Sequence, residues 1–303
     1  MKKGFLKNNK VFKINLLYIL SLIPVIGFAF YKNGVVVAKQ GLMPFFIALQ
    51  YVVIPIIIVL LSYVFETYYY TVVKKEDDLH SVYNSIAPYV LVLCYLVCGP
   101  AHKLYITVPI MVIVDILLKF IDNKISINQV ALFKCILFGV MFALGVKGYE
   151  NLYETTLTDA VSKPVPLFIG KGVGEIGVTS SLCALIGFVI LCFNSYYKKD
   201  VPIVVVLGYA IVGVLLYFVG KVGFNELFVN TFNSGFIFIA VYVASVSNAT
   251  PVIRSGRVVY SLLVGIAACI CVNVVHFNLG IYIAILVLSL LCPLFNKIKL
   301  SFD

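Results

Sequence analysis

Tryptophan is absent from this chain, histidine occurs only three times, and charged residues make up just 12% of it. Each scarcity excludes something. Soluble domains run nearer a quarter charged. A sequence that is 62% hydrophobic, with mean hydropathy +1.07, cannot bury its apolar residues in a water-facing fold of 303 residues. Long apolar runs separated by short polar stretches instead predict an all-α polytopic membrane protein. Without tryptophan, the aromatic belt at the membrane interface must rest on the 20 tyrosines. His80, His102 and His276 fall in loops or at span ends without metal-ligand spacing. No nucleophile–base pair, glycine-rich phosphate loop or metal motif is present. The eight cysteines sit mostly inside apolar runs and give no disulfide framework. Cys94-x-x-x-Cys98 and Cys269-x-Cys271 have the form of thiolate ligands, but buried small residues explain them better.

What is there is a series of apolar segments. Lysines at 2, 3, 7, 10 and 13 precede a run from Ile14 to Tyr31. That run reads as a retained first span rather than a cleaved signal peptide, since it is long and Lys32 follows without a small-x-small site. Further spans are expected near 42–64, 83–99, 104–121, 131–147, 177–194, 201–220, 235–248, 258–275 and 279–296. Most approach the roughly 20 residues needed to cross about 30 Å of hydrocarbon. Ten spans place both termini on one side.

The charge of +10 is a topology signal rather than a nucleic-acid footprint. With the N-terminus inside, fifteen of the 23 Lys and Arg fall in inner segments and seven in outer ones. Lys134 lies within a span. This bias places both termini in the cytoplasm and the 148–176 loop outside. The chain reads as one integral membrane domain over 1–303, with a first repeat at about 11–147, the outer loop 148–176, and a second repeat at about 177–297.

Five spans per half make the two halves inverted repeats, in which short or interrupted helices at matching places point to a binding site. The third and eighth spans qualify. The third carries Pro88 near its start and stops at Cys98-Gly99-Pro100. The eighth decays into Ala244-Ser245-Val246-Ser247-Asn248-Ala249-Thr250-Pro251. Half-helix ends expose backbone groups that need partners, so Ser245, Ser247, Asn248 and Thr250 are expected either to line a cavity or merely to cap a short helix.

The stretch from Thr155 to Gly187 is the longest polar, Pro- and Gly-rich interruption in the chain. It contains Asp159-Ala160-Val161-Ser162-Lys163-Pro164-Val165-Pro166-Leu167 and then Gly174-Glu175-Ile176-Gly177-Val178-Thr179-Ser180-Ser181-Leu182. Later come Thr250-Pro251, Gly256-Arg257, and the ending that runs from Ile283 through Ser289 to Pro293-Leu294. In this order the stretches resemble the RnfD/NqrB family of membrane subunits, found in Rnf electron transport complexes and in the sodium-translocating NADH:quinone reductase. In that family the first motif is D-x-x-S-[GS]-A-T-P-L, whose Thr carries FMN as a phosphodiester, and the second is G-x-I-G-E-T-S-x-L. The likeness spans roughly residues 80–298.

The departures from the family are patterned. Backbone-shaping Pro166, Gly174, Gly177, Pro251, Gly256 and Pro293 stay. The acceptor Thr is Val165, the helix-entry Glu is Val178, and a later Asp is Val246. The resemblance therefore implies a divergent member, a subunit passing electrons across the bacterial cell membrane via flavin. Its partners would be other membrane subunits and an outward-facing flavoprotein, in a setting such as extracellular electron transfer. Covalent FMN is not expected at Val165, which has no hydroxyl, so FMN or riboflavin would be held noncovalently. The cofactor-binding positions carried over are Ser162, Val165, Gly174, Gly177, Thr179, Ser180, Ser245, Ser247, Asn248, Thr250 and Arg257. The rival readings are a urea-transporter-like solute channel or transporter, and a scaffold that anchors partners.

Two acidic residues are ambiguous. Asp115 lies inside the fourth span, where an ionisable group is a candidate ion or proton route, or pairs with Lys119 at i+4 or with Lys134. Glu175 either substitutes for the lost helix-entry Glu or is a carboxylate favoured by a helix N-terminus.

Overall fold

The computed structural model describes residues 2–75, 82, 85–100, 103–120, 126–145 and 163–298, with side chains described from Asn15 onward except at Phe120. Ser162, His80, His102 and the 148–162 part of the motif loop lie outside that set. Among the described residues every regular element is helical.

Helix α1 (Lys2–Ala29) continues without a break through a π-helical turn at Phe30–Val36 to Lys39. Helix α2 (Gln50–Tyr68) likewise ends in a π-helical turn at Tyr69–Val73. The short α3 (Ala87–Leu96) is followed by α4 (Leu104–Phe120), α5 (Gln129–Ala143) and a surface turn of helix, α6 (Pro164–Ile169). Then come α7 (Ser181–Cys192), α8 (Asp200–Phe218) and α9 (Phe224–Asn233). The short α10 (Phe236–Phe238) runs on as a π-helical turn at Ile239–Val243. Helices α11 (Arg254–Asn273) and α12 (Leu279–Leu290) complete the chain, with one last turn at Cys292–Phe295.

A helix stands at each of the ten places where a span is expected. Among the described residues, four are long and apolar enough to cross a membrane alone: Asn15–Lys39, Phe45–Val73, Asp200–Phe218 and Arg254–Asn273. The protein is a multi-pass membrane protein with short helices at its centre. Nine of the ten residues of α3 are buried, as are all of Ile239–Val243. A helix that is apolar all round belongs in a core or in lipid, and here length separates the two. Short α3 and α10 fill the core, while long α2 exposes Ile56, Leu60 and Val64.

Two differences from expectation shape the site. Helix α7, at the sixth expected span, begins at Ser181 rather than 177, because Ser180 is its cap: the Ser180 hydroxyl accepts from the Cys183 N–H at 3.2 Å. Residues 174–180 are therefore loop. Helix α9 is not expected at all, since 224–233 mixes Asn, Glu and Thr with Phe and Leu. It forms because Glu226 accepts from the Gly223 N–H at 3.3 Å and Phe224, Leu227 and Phe228 share a helical face. Helices α9 and α10 meet at a 59° bend. The turn is made at Gly235, whose φ of +66° lies in the left-handed region that favours glycine. A Cβ there would also lie 1.9 Å from Val178 Cγ1.

Candidate functional site: a cavity between the two broken helices

The second motif is folded onto the open end of α3. The Ile176 N–H donates to Cys98 O and the Gly177 N–H to Leu96 O, both at 2.9 Å. Two of the carbonyls left over where α3 stops are thus satisfied by the motif's own backbone. Glycine is required at 177, because a Cβ would sit 2.8 Å from Leu96 Cβ and 3.0 Å from Val25 Cγ1. The π-helical turn at Phe30–Val36 turns Lys32, Asn33 and Gly34 inward. Lys32 Nζ donates to Gly172 O and Asn33 Nδ2 reaches Ile176 O at 3.5 Å. Such π-helical insertions recur at functional sites.

The remaining α3 carbonyl, Val97 O, accepts from Lys134 Nζ at 2.7 Å. The same ammonium lies 2.5 Å from Glu175 Oε1. Tyr282 donates from its hydroxyl to Glu175 Oε2 at 2.7 Å, and its ring lies under Lys134 with 5.8 Å from Nζ to the centroid. Glu175 is six residues before the start of α7, so it is not a helix-N-terminal carboxylate; it is the counter-charge of Lys134.

This cluster forms part of the wall of a cavity of about 440 Å³. Phe138, Phe277 and Tyr282 give it aromatic surface, and Gly174, Val178 and Thr179 of the motif line it. Asn233 and Asn278, both exposed, also line it. Thr179 is buried, and among the described residues its hydroxyl oxygen has no hydrogen-bond partner. That volume falls in the range of small-molecule sites, about 300–1,000 Å³.

The carried-over positions fall into separate groups. Gly174 and Thr179 line the cavity, with Gly177 and Ser180 beside it. The Ser180 hydroxyl caps α7 and donates to Ile169 O at 2.7 Å. Val165 is 67% exposed on α6 and is not part of the cavity wall. Ser245, Ser247, Asn248, Thr250 and Arg257 lie beyond the other end of α10. The eight residues of Phe236–Val243 put roughly 12 Å between the two groups.

At that second end the α10 carbonyls are again satisfied by protein. Tyr197 donates from its hydroxyl to Val241 O at 2.8 Å, Asn128 Nδ2 to Val243 O at 2.7 Å, and Tyr260 from its hydroxyl to Ala244 O at 3.3 Å. Buried Ser245 donates to Val241 O. Arg257 pairs with Asp200 at 2.7 Å and donates to Val252 O at 2.7 Å. Asn248 is exposed.

Asn128 does two jobs, since its Oδ1 also caps α5 by accepting from the Ala131 N–H at 3.0 Å. Asn128→Ala removes the cap and strands a buried carbonyl. The expected loss is about 2–4 kcal/mol, read as a lower melting temperature of the purified protein.

Asp115 takes the structural pairing. Its Oδ2 lies 2.9 Å from Lys119 and its Oδ1 accepts from Gln129 Nε2 at 3.1 Å. Lys119 also pairs with buried Glu66 at 2.8 Å, a partner the sequence does not reveal. Among the described residues no group of His, Cys, Asp and Glu could hold a metal ion.

No curated protein matches the chain. The profile of the NQR2, RnfD, RnfE family matches residues 4–301. A membrane-embedded helical core with short central helices, carrying this motif loop against the open end of one of them, thus sits within a match that covers nearly every residue: the chain belongs to the NQR2, RnfD, RnfE family, a membrane subunit of Rnf- and Nqr-type electron transport complexes.

Proposed function

We propose that this chain passes electrons across the bacterial cell membrane through a noncovalently held flavin, toward an outward-facing flavoprotein acceptor. The observation that carries the reading is the cavity itself, whose wall is the family's helix-entry motif. Its room, its aromatic flanks and the unpartnered Thr179 hydroxyl suit an isoalloxazine ring. The Lys134 charge is already matched by Glu175, so the cavity has little to offer a phosphate, and riboflavin fits it better than FMN. When bound, the flavin would supply the electron-carrying chemistry, and the protein supplies shape, orientation and local charge. Covalent attachment has no support at Val165, which lacks a hydroxyl and lies away from the cavity wall.

Flavin absorbance and fluorescence in the purified, detergent-solubilised protein test the reading directly. Retention is expected in the wild type and a loss of roughly tenfold in Thr179→Phe, which fills the cavity. A colourless wild type reconstituted with riboflavin that still shows no binding would defeat the proposal. Val165→Thr is expected to give a covalent fluorescent band with a flavin transferase present, because that position is exposed. A urea-transporter-like pore has less support, since the carbonyls at both broken-helix ends are taken by protein donors rather than left for a permeant solute.

A further inference from the structure

The loop that follows α10 surrounds one ammonium group with oxygens. Lys198 Nζ, in the turn between α7 and α8, lies 3.0 Å from Ser247 O, 2.9 Å from Thr250 O, 2.5 Å from Thr250 Oγ1 and 3.2 Å from Pro251 O. An ammonium has three hydrogens to donate, so four oxygens at this range already resemble a coordination shell more than a set of single hydrogen bonds. The oxygens are three carbonyls and one hydroxyl, all uncharged. The nearby carboxylate, Asp200, is occupied by Arg257. In transporter folds, unwound backbone after a half-helix is where a monovalent cation is coordinated.

We propose that the 247–251 turn is a monovalent-cation site and that Lys198 is its built-in occupant. Neutral oxygens argue against a divalent ion, which draws carboxylates at about 2.3–2.6 Å for calcium and shorter for magnesium. The observed contacts are mostly longer, as suits ammonium or potassium. Burial pushes the Lys198 ammonium down to about 8, the Arg257 charge adds to that, and Cys292 and Asp200 oppose it. The group is therefore still mainly charged at pH 7, where the test belongs. The site stands apart from the flavin cavity and does not rest on it.

Removing the occupant should expose the site to free ions. At pH 7, the wild-type protein is expected to melt at the same temperature in potassium, ammonium or choline chloride of equal concentration. Lys198→Ala is expected to melt roughly 4–8 °C lower in choline chloride. Potassium or ammonium chloride should restore at least half of that loss, with a saturable concentration dependence. Thr250→Val in the Lys198→Ala background should raise the half-restoring concentration roughly threefold to tenfold. Should Lys198→Ala not accumulate in choline, the readout becomes the yield of monodisperse protein solubilised in each salt. Recovery that is equal in choline and potassium, or no recovery in any salt, would overturn the proposal.

Discussion

Lys134→Met is expected to lower stability by about 3–5 kcal/mol and to abolish retention of any cavity-bound ligand. The substitution removes the counter-charge of Glu175 and the donor to Val97 O together, in a pair whose side chains are 4% and 12% exposed. Breaking a buried ion pair from one side costs far more than the pair contributes, because the survivor is left charged and unmatched. Glu175→Gln alone leaves the buried Lys134 ammonium without its carboxylate and should cost a comparable amount, offset only by the hydrogen bond its amide oxygen can still accept from Tyr282. The double variant Lys134→Met with Glu175→Gln should recover most of the loss, although Val97 O stays without its donor. Thermal melts of the four proteins form a double-mutant cycle. A coupling energy near zero would show that the ion pair contributes nothing to the link between α3, α5 and the motif loop.

Gly265→Leu is expected to cost at least the upper end of the 1–3 kcal/mol range usual for overpacking, about 3 kcal/mol or more. Helices α8 and α11 touch backbone to backbone where they cross. A Cβ on Gly265 would lie 2.2 Å from Val205 O and 2.8 Å from Tyr209 N, and one on Gly208 would lie 2.8 Å from Leu262 O. Backbone atoms cannot move aside by changing rotamer, so the helices themselves must separate. Small residues at such a crossing are what allow membrane helices to approach this closely. Gly27→Ala and Gly139→Ala are the controls, since a Cβ at either position meets nothing within 4 Å. Each should be neutral, or stabilising by up to about 1 kcal/mol through helix propensity. If all three substitutions shifted the melting temperature alike, the crossing would not depend on glycine.

The parts legible in the sequence were those with a local signature. Pro88 and the Gly99-Pro100 stop marked α3, and the Ser- and Asn-rich decay after Ala244 marked the end of α10. The Asp115–Lys119 pair follows from i,i+4 spacing alone. Lys134, which the sequence offered as a partner for Asp115, belongs to Glu175 instead, because a loop far along the chain folds against the open end of α3. Lys32 is one of the seven outer-segment charges of the topology count, yet the π-helical turn buries it under the motif loop. No periodicity announces such a turn, and no spacing announces the oxygens around Lys198. Helix α9 is hidden because its five apolar residues are interleaved with five polar ones, so the segment does not stand out as an apolar run of its own.

That helix has a consequence for how the cavity is reached. Phe224 and Phe228 are 63% and 40% exposed on one side of a short segment that also carries Asn225, Glu226 and Asn230. Segments built this way lie flat along the boundary between headgroups and acyl chains. Asn233, at the end of α9, lines the cavity, so a segment seated in that layer would set the cavity's opening at headgroup depth. A visiting molecule would slip in sideways from the lipid surface, so an amphiphilic carrier dissolved in the leaflet has a shorter path to this pocket than one arriving from bulk water.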